Sequence, residues 1–111
     1  MQANNWSAAA ELFADDFVLL WPQSGELIEG AANFVAINTE YPSAGPWRFG
    51  INRLVAGTFD VVTETEVTDG KVAGFAISFF AVRDGKISRI VEYWPENFAP
   101  PAWRAKWVTR H

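Results

Sequence analysis

The sequence predicts an α+β fold, with two short helices and a small hairpin first and a curved antiparallel sheet after them. Three observations carry that prediction. Apolar residues recur at helical spacing around residues 6–14 and 30–41. Alternating runs of about ten residues fill the second half, which is long against the usual five or six. Gly57, Asp69-Gly70 and Asp84-Gly85 punctuate those runs, and Asp-Gly between alternating strands is a strong hairpin signal.

Taken in order, Trp6 to Ala14 reads as a short helix with Ser7 as cap and Trp6, Ala9, Ala10 and Phe13 on one side. Asp15-Asp16 ends it, and Phe17 to Trp21 follows as a nearly all-apolar strand. Pro22-Gln23-Ser24-Gly25 is turn chemistry, and Glu26 to Glu29 is a short return strand. Gly30 opens a second helix that runs to about Tyr41 and aligns Phe34, Ile37, Asn38 and Tyr41. Pro42 stops it, and Ser43-Ala44-Gly45-Pro46 is loop. Four strands then form a meander: Trp47 to Ala56, Thr58 to Thr68, Val72 to Arg83 and Lys86 to Trp94. Trp47, Phe49 and Ile51 are expected in the core. In the tail, Pro100-Pro101 can start a helical turn that puts Trp103 and Trp107 on one face, with Arg104, Lys106 and Arg110 elsewhere. Two exposed indoles would invite aggregation, so the tail is expected to dock on its own sheet or on a second subunit.

Bulk properties narrow the function. The 111 residues make one domain, 1–111, with 50% apolar and 15% aromatic content, which excludes disorder. A net charge of −4 argues against nucleic acid or an anionic membrane as partner. Cysteine is absent, so thiol chemistry and disulfides are excluded, and the single histidine is the last residue, His111. No metal site or cofactor motif is visible. No apolar run approaches a membrane span and no signal peptide is recognisable, so a cytoplasmic location is expected.

The candidate for chemistry is Glu92. Period-two geometry puts Ser88, Ile90, Glu92 and Trp94 on one face of the last strand, which has isoleucine on both faces. A carboxylate beside the indoles of Trp21 and Trp94 would be desolvated and its pKa raised. Ser88, Thr63 and Thr65 are hydroxyl candidates for the same pocket, and Asn38 and Tyr41 could reach it from the second helix. The competing reading ties Glu92 to Arg48, Arg53 or Arg89, or to a backbone amide, as a structural acid that fixes strand register, with Asn38 and Tyr41 as ordinary packing residues. Glu64 and Glu66 are expected on a solvated outer face, and Asp60, Asp69 and Asp84 at turns or strand ends.

Four segments together carry a family resemblance: Asn5 to Asp16, Gly25 to Gly30, Asp84-Gly85-Lys86-Ile87 and Glu92-Tyr93-Trp94. In order and spacing the chain resembles the SnoaL-like branch of the nuclear transport factor 2-like superfamily, over essentially its whole length. The resemblance implies a cone, in which the meander and the short N-terminal hairpin wrap against helices around an apolar pocket. The longer first helix that members usually carry is not in this sequence, so either the chain has lost it or the true start lies upstream. If nothing replaces it, the pocket is expected to be open or filled by a neighbouring chain. Face-to-face homodimers are also implied.

The superfamily spans isomerases, dehydratases, epoxide hydrolases, cyclases and non-catalytic modules, so the fold does not choose a reaction. An epoxide-hydrolase mechanism is excluded because Thr65 and Val67 stand where it needs an Arg and a second Asp. The ketosteroid isomerase base would fall at Trp21, before Pro22, and an indole cannot accept a proton. A scytalone dehydratase mechanism needs pocket histidines. Two readings remain. One is a cofactor-free isomerase, cyclase or dehydratase that acts on a small apolar carbonyl compound through Glu92. The other is a ligand-binding or dimerising module.

Overall fold

A single six-stranded sheet organises the computed structural model, which describes residues 5–42 and 45–110. The expectations for Met1 to Asn4, for Ser43-Ala44 and for His111 lie outside the described residues. The elements are α1 (Trp6–Ala10), β1 (Phe13–Trp21), β2 (Glu26–Glu29), α2 (Gly30–Glu40), β3 (Arg48–Ala56), β4 (Asp60–Thr68), β5 (Ala73–Arg83) and β6 (Lys86–Tyr93). A 3₁₀ turn, Ala102–Trp107, follows. The strand order is β2-β1-β6-β5-β4-β3. The meander β3 to β6 is antiparallel throughout. The N-terminal hairpin extends the same sheet by laying β1 parallel to β6. At the β5–β6 turn, Asp84 and Gly85 take φ of 51° and 75°, the left-handed pair that a two-residue hairpin needs.

The first helix is shorter than its pattern predicts. Asn5, not Ser7, caps it by accepting from the Ala8 amide at 3.1 Å. The chain leaves the helix after Ala10 because Phe13 is worth more in the sheet. There its ring stacks on Phe17 at 3.8 Å and meets Phe34 edge-on at 4.8 Å, and the Leu12 carbonyl accepts from the Ile87 amide.

Both helices lie on one face of the sheet, α2 over β1 and β2 and α1 against α2. Phe17, Leu19, Ile28, Phe34 and Ile90 form the core there, with Trp6 and Phe13 packed against it. Register places Phe17, Leu19 and Trp21 of β1, Ile90 and Glu92 of β6, Ala76 and Ser78 of β5, and Thr63, Thr65 and Val67 of β4 on this inner face. Trp6 of α1 reaches Phe49 at the start of β3, edge-on at 6.2 Å, but the rest of that strand is left uncovered. Ile51 is 61% and Leu54 57% exposed, so the expectation of a buried Ile51 fails for want of a covering element. Glu66 is solvated, and Glu64 pairs with Arg53 at 3.4 Å. Asp69 closes its turn by accepting from the Lys71 and Val72 amides.

The tail does not dock on its own sheet. Trp103 and Trp107 remain 71% and 68% exposed, and only neighbouring cations, Arg104 and Lys106, sit over their rings. No described helix is long and apolar enough to cross a membrane.

Candidate functional site

The site is built by one row of side chains that crosses the sheet. Register pairs Thr63 of β4 with Ser78 of β5, and Ser78 with Glu92 of β6. Trp21, the last residue of β1, continues the row by one step beyond the Leu20–Val91 pair. Paired residues in a sheet share a face, so four polar tips converge on the inner side next to the aromatic core.

Three donors enclose the Glu92 carboxylate. Trp21 Nε1 and Trp94 Nε1 both donate to Oε1, at 3.2 and 3.0 Å. Ser78 Oγ donates to Oε2 at 3.0 Å. The β6–β5 and β6–β1 pairings position Ser78 and Trp21, while Trp94 follows directly after β6. The amide of Trp94 is anchored to Gln23 Oε1 of the first turn. Burial pushes the Glu92 carboxyl above the ordinary carboxylate range, and the bonds from Ser78, Trp21 and Trp94 pull part of the way back.

No cation among the described residues shares the charge. Among the described residues the ion pairs are Arg53–Glu64 and Arg83–Asp16. Arg89 stands on the outer face, since its cross-strand partner is Ala81, one position off the inner-facing Phe80. The alternative of an arginine-tied structural acid is therefore not what the geometry contains.

The remaining predicted residues divide. Trp21 and Trp94 stand beside Glu92 as expected, but they act through their N–H groups rather than as plain apolar walls. Thr63 is buried in the same row. Thr65, half-buried, lies one inner-face step away opposite Ala76. Ser88 turns away and donates to the Ala81 carbonyl at 3.3 Å, because the β5–β6 register shifts beside it. Asn38 donates to the Phe34 carbonyl of its own helix at 2.8 Å. Tyr41 is exposed and meets Trp47 edge-on. Neither is a partner of Glu92.

Sequence reasoning missed Ser78. Counting outward from the Asp84-Gly85 turn, Arg83 pairs with Lys86 and Val82 with Ile87, which would bring Glu92 opposite Ile77. A bulge then inserts Ser88 as an extra residue, so that Ala81 meets Arg89 and Ser78 meets Glu92. The only signal available beforehand was a serine one position from the predicted partner.

Linkage gives the site a stability signature. A carboxyl raised in the folded state contributes stability below its unfolded pKa and loses it as pH rises through the folded value. Glu92→Gln, which cannot ionise, is expected to gain stability over the parent as pH rises from about 4 to about 8. Thermal unfolding of both proteins across that range checks the sign, and a pH-independent difference would contradict a desolvated carboxyl.

Among the described residues no cluster of three or more His, Cys, Asp or Glu could hold a metal ion. An open depression of about 410 Å³ lies over the outer side of the sheet, lined by Asp60, Val62, Phe79, Arg89, Val91 and Tyr93 among others. It is separated from Glu92 by the sheet itself.

The family model of the SnoaL-like domain matches residues 1–90, ending just before Glu92. No curated protein matches significantly. A solved structure from Kribbella flavida DSM 17836, assigned as a ketosteroid isomerase, is 33% identical and superposes with a TM-score of 0.89, covering 99% of this chain and 80% of its own. An NTF-2 like protein of unknown function from Burkholderia xenovorans LB400 is 28% identical, with a TM-score of 0.79 and coverage of 99% and 85%. A protein assigned as a SnoaL-like polyketide cyclase from Jannaschia sp. CCS1, 14% identical at a TM-score of 0.69 over 80% and 71%, shares the fold.

Proposed function

The chain belongs to the SnoaL-like domain family, and on that premise we propose that it binds a small apolar carbonyl compound on the inner face and uses Glu92 to move a proton. The observation that carries this reading is a desolvated carboxylate with neutral donors and no counter-cation among the described residues. Such a group is a base strong enough to take a proton from carbon and an acid strong enough to return it near neutral pH. The C–H bond next to the carbonyl breaks, its electron pair delocalises onto the carbonyl oxygen, and the proton passes to Glu92. Return of that proton to a different carbon gives isomerase chemistry. Attack of the enolate carbon on a second carbonyl, whose oxygen then takes the proton, gives cyclase chemistry, and expulsion of a β-hydroxyl that takes the proton and leaves as water gives dehydratase chemistry, all without a cofactor. Trp21 and Trp94 offer apolar surface beside the carboxylate, and Thr63 and Thr65 offer hydroxyls.

The probe is exchange of the α-protons of a flat bicyclic ketone, 2-tetralone, into D₂O, followed by NMR. The protein is expected to accelerate exchange, and Glu92→Gln to abolish the acceleration while still folding. General acid–base contributions of about 10²- to 10⁴-fold set the scale. Equal rates with parent and variant would end the acid–base reading and leave a binding module.

A second reading, compatible with the first, is assembly through the outer face. Leu27, Leu20, Val91, Phe79, Val62 and Val55 form an apolar row across all six strands. Leu27 and Val55 are more than half exposed. The chain exposes 8165 Å², against about 6,100 Å² for a compact monomer of this mass. Its radius of gyration is 16.3 Å, against about 13 Å. The excess of roughly 2,000 Å² exceeds the ~800 Å² per partner that a standard interface removes. A homodimer that covers this row is the assembly proposed.

A further inference from the structure

We infer that Glu92 exchanges its proton through Oε2 alone, and that Ser78 is the positioning residue that lets it do so by reversing its hydroxyl. The inference rests on the acid–base reading for its catalytic consequence, but not for its test.

The two carboxylate oxygens are not equivalent. Oε1 accepts from two indole N–H groups. An indole nitrogen donates and never accepts, so a proton placed on Oε1 would face two donors and cost at least one of their bonds. Oε2 has one partner, the Ser78 hydroxyl. A hydroxyl both donates and accepts. When Glu92 is ionised, Ser78 donates to Oε2. When Oε2 carries the proton, Oε2–H donates to Ser78 Oγ, and the serine hydrogen swings away. Thr63, the cross-strand partner of Ser78 and likewise buried, offers the next hydroxyl oxygen in the row.

In both protonation states Oε1 therefore keeps its two indole donors and Oε2 keeps its hydrogen bond with Ser78. This matters because an unsatisfied buried polar group costs as much as a lost hydrogen bond. A fixed third donor, such as a backbone amide, would hold Glu92 in one state. A hydroxyl makes the same residue usable as base and then as acid. Oε1 is the anchored oxygen and Oε2 the working one.

Other titratable groups do not confuse the assignment. On the flanking strands Glu26, opposite Trp21 on β2, shares the face and is exposed. The inner-face neighbours on β4, β5 and β6, namely Thr65, Ala76, Phe80 and Ile90, carry no charge.

The test is a ¹³C NMR titration of the Glu92 carboxyl in the full chain without ligand, with the signal assigned by its loss in Glu92→Gln. Removal of a donor-only partner penalises the ionised form more than the neutral one, because its bond to Oε1 is charge-assisted only when Glu92 is ionised, so Trp94→Phe is expected to raise the titration midpoint. Removal of a reversible partner penalises both forms, so Ser78→Ala is expected to shift it by much less, with the tryptophan effect roughly twofold or more the larger. Ser78→Ala is a small change on a central strand, and Trp94 lies outside the strands at 39% exposure, so both variants are suited to remain folded. Should Ser78→Ala raise the midpoint as far as Trp94→Phe or further, Ser78 is a fixed donor and the inference is overturned. That outcome leaves the ketone-exchange result standing. Loss of exchange activity, conversely, would leave this titration order intact.

Discussion

Phe17→Ala is expected to destabilise the fold by about 3–5 kcal/mol, a large share of its whole stability. Phe17 is 1% exposed, the most buried large side chain among the described residues. Its ring stacks on Phe13 within 4 Å, centroid to centroid, and meets Phe34 edge-on at 6.0 Å. Phe34 in turn holds Trp6 at 6.1 Å. One substitution thus opens a cavity at the point where α1, α2 and β1 meet, and no flexible neighbour stands ready to fill it. The loss weighs heavily because domains of this size have only about 5–15 kcal/mol in all, and this chain leaves much of its sheet uncovered. Urea denaturation followed by tryptophan fluorescence measures the effect. A loss under about 1 kcal/mol would mean that the aromatic cluster is not the core that joins helices to sheet.

The meander was legible because its information is local. Asp-Gly turns and period-two runs specify hairpins with little help from the rest of the chain, and every predicted strand exists to within a few residues. The parallel β1–β6 pairing was less accessible. It joins residues some seventy positions apart, and no turn chemistry announces it. That pairing also explains the one helix that came out too long. Phe13 fits a helical stripe by spacing, yet tertiary stacking on Phe17 and Phe34 draws it into β1. At the site, Glu92 and both indoles followed from the residues, since an acid on a two-sided apolar strand stands out. Ser78 did not, because a single bulged residue, Ser88, moves the partner of Glu92 by one place. Residue types could be read from the pattern, but a register shift of one could not.

Reversing the charge of either Asp60 or Arg89 is expected to weaken self-association by about 2 kcal/mol, roughly thirtyfold in Kd, and reversing both to restore it. The argument starts from register. Asp60 of β4 and Arg89 of β6 flank Ala81 of β5 on the outer face, and both side chains are exposed without an ion-pair partner among the described residues. Consider two copies packed outer face to outer face, related by a two-fold axis along β5. Each β4 then lies over the partner's β6, so Val62 faces Val91, Phe79 faces its own copy, and Arg89 faces Asp60 twice over. The same operation sets Tyr93 opposite Glu64, on either side of Ile77. A two-fold across the strands instead would oppose Asp60 to Glu64 on β4, two like charges. Charge therefore selects between the symmetric arrangements that the apolar row alone would allow. Sedimentation equilibrium of Asp60→Arg, Arg89→Asp and the double variant decides the matter, with Phe79→Asp as a monomeric reference. A chain that is monomeric at tens of micromolar would remove the interface, and a double variant no tighter than the singles would remove this axis.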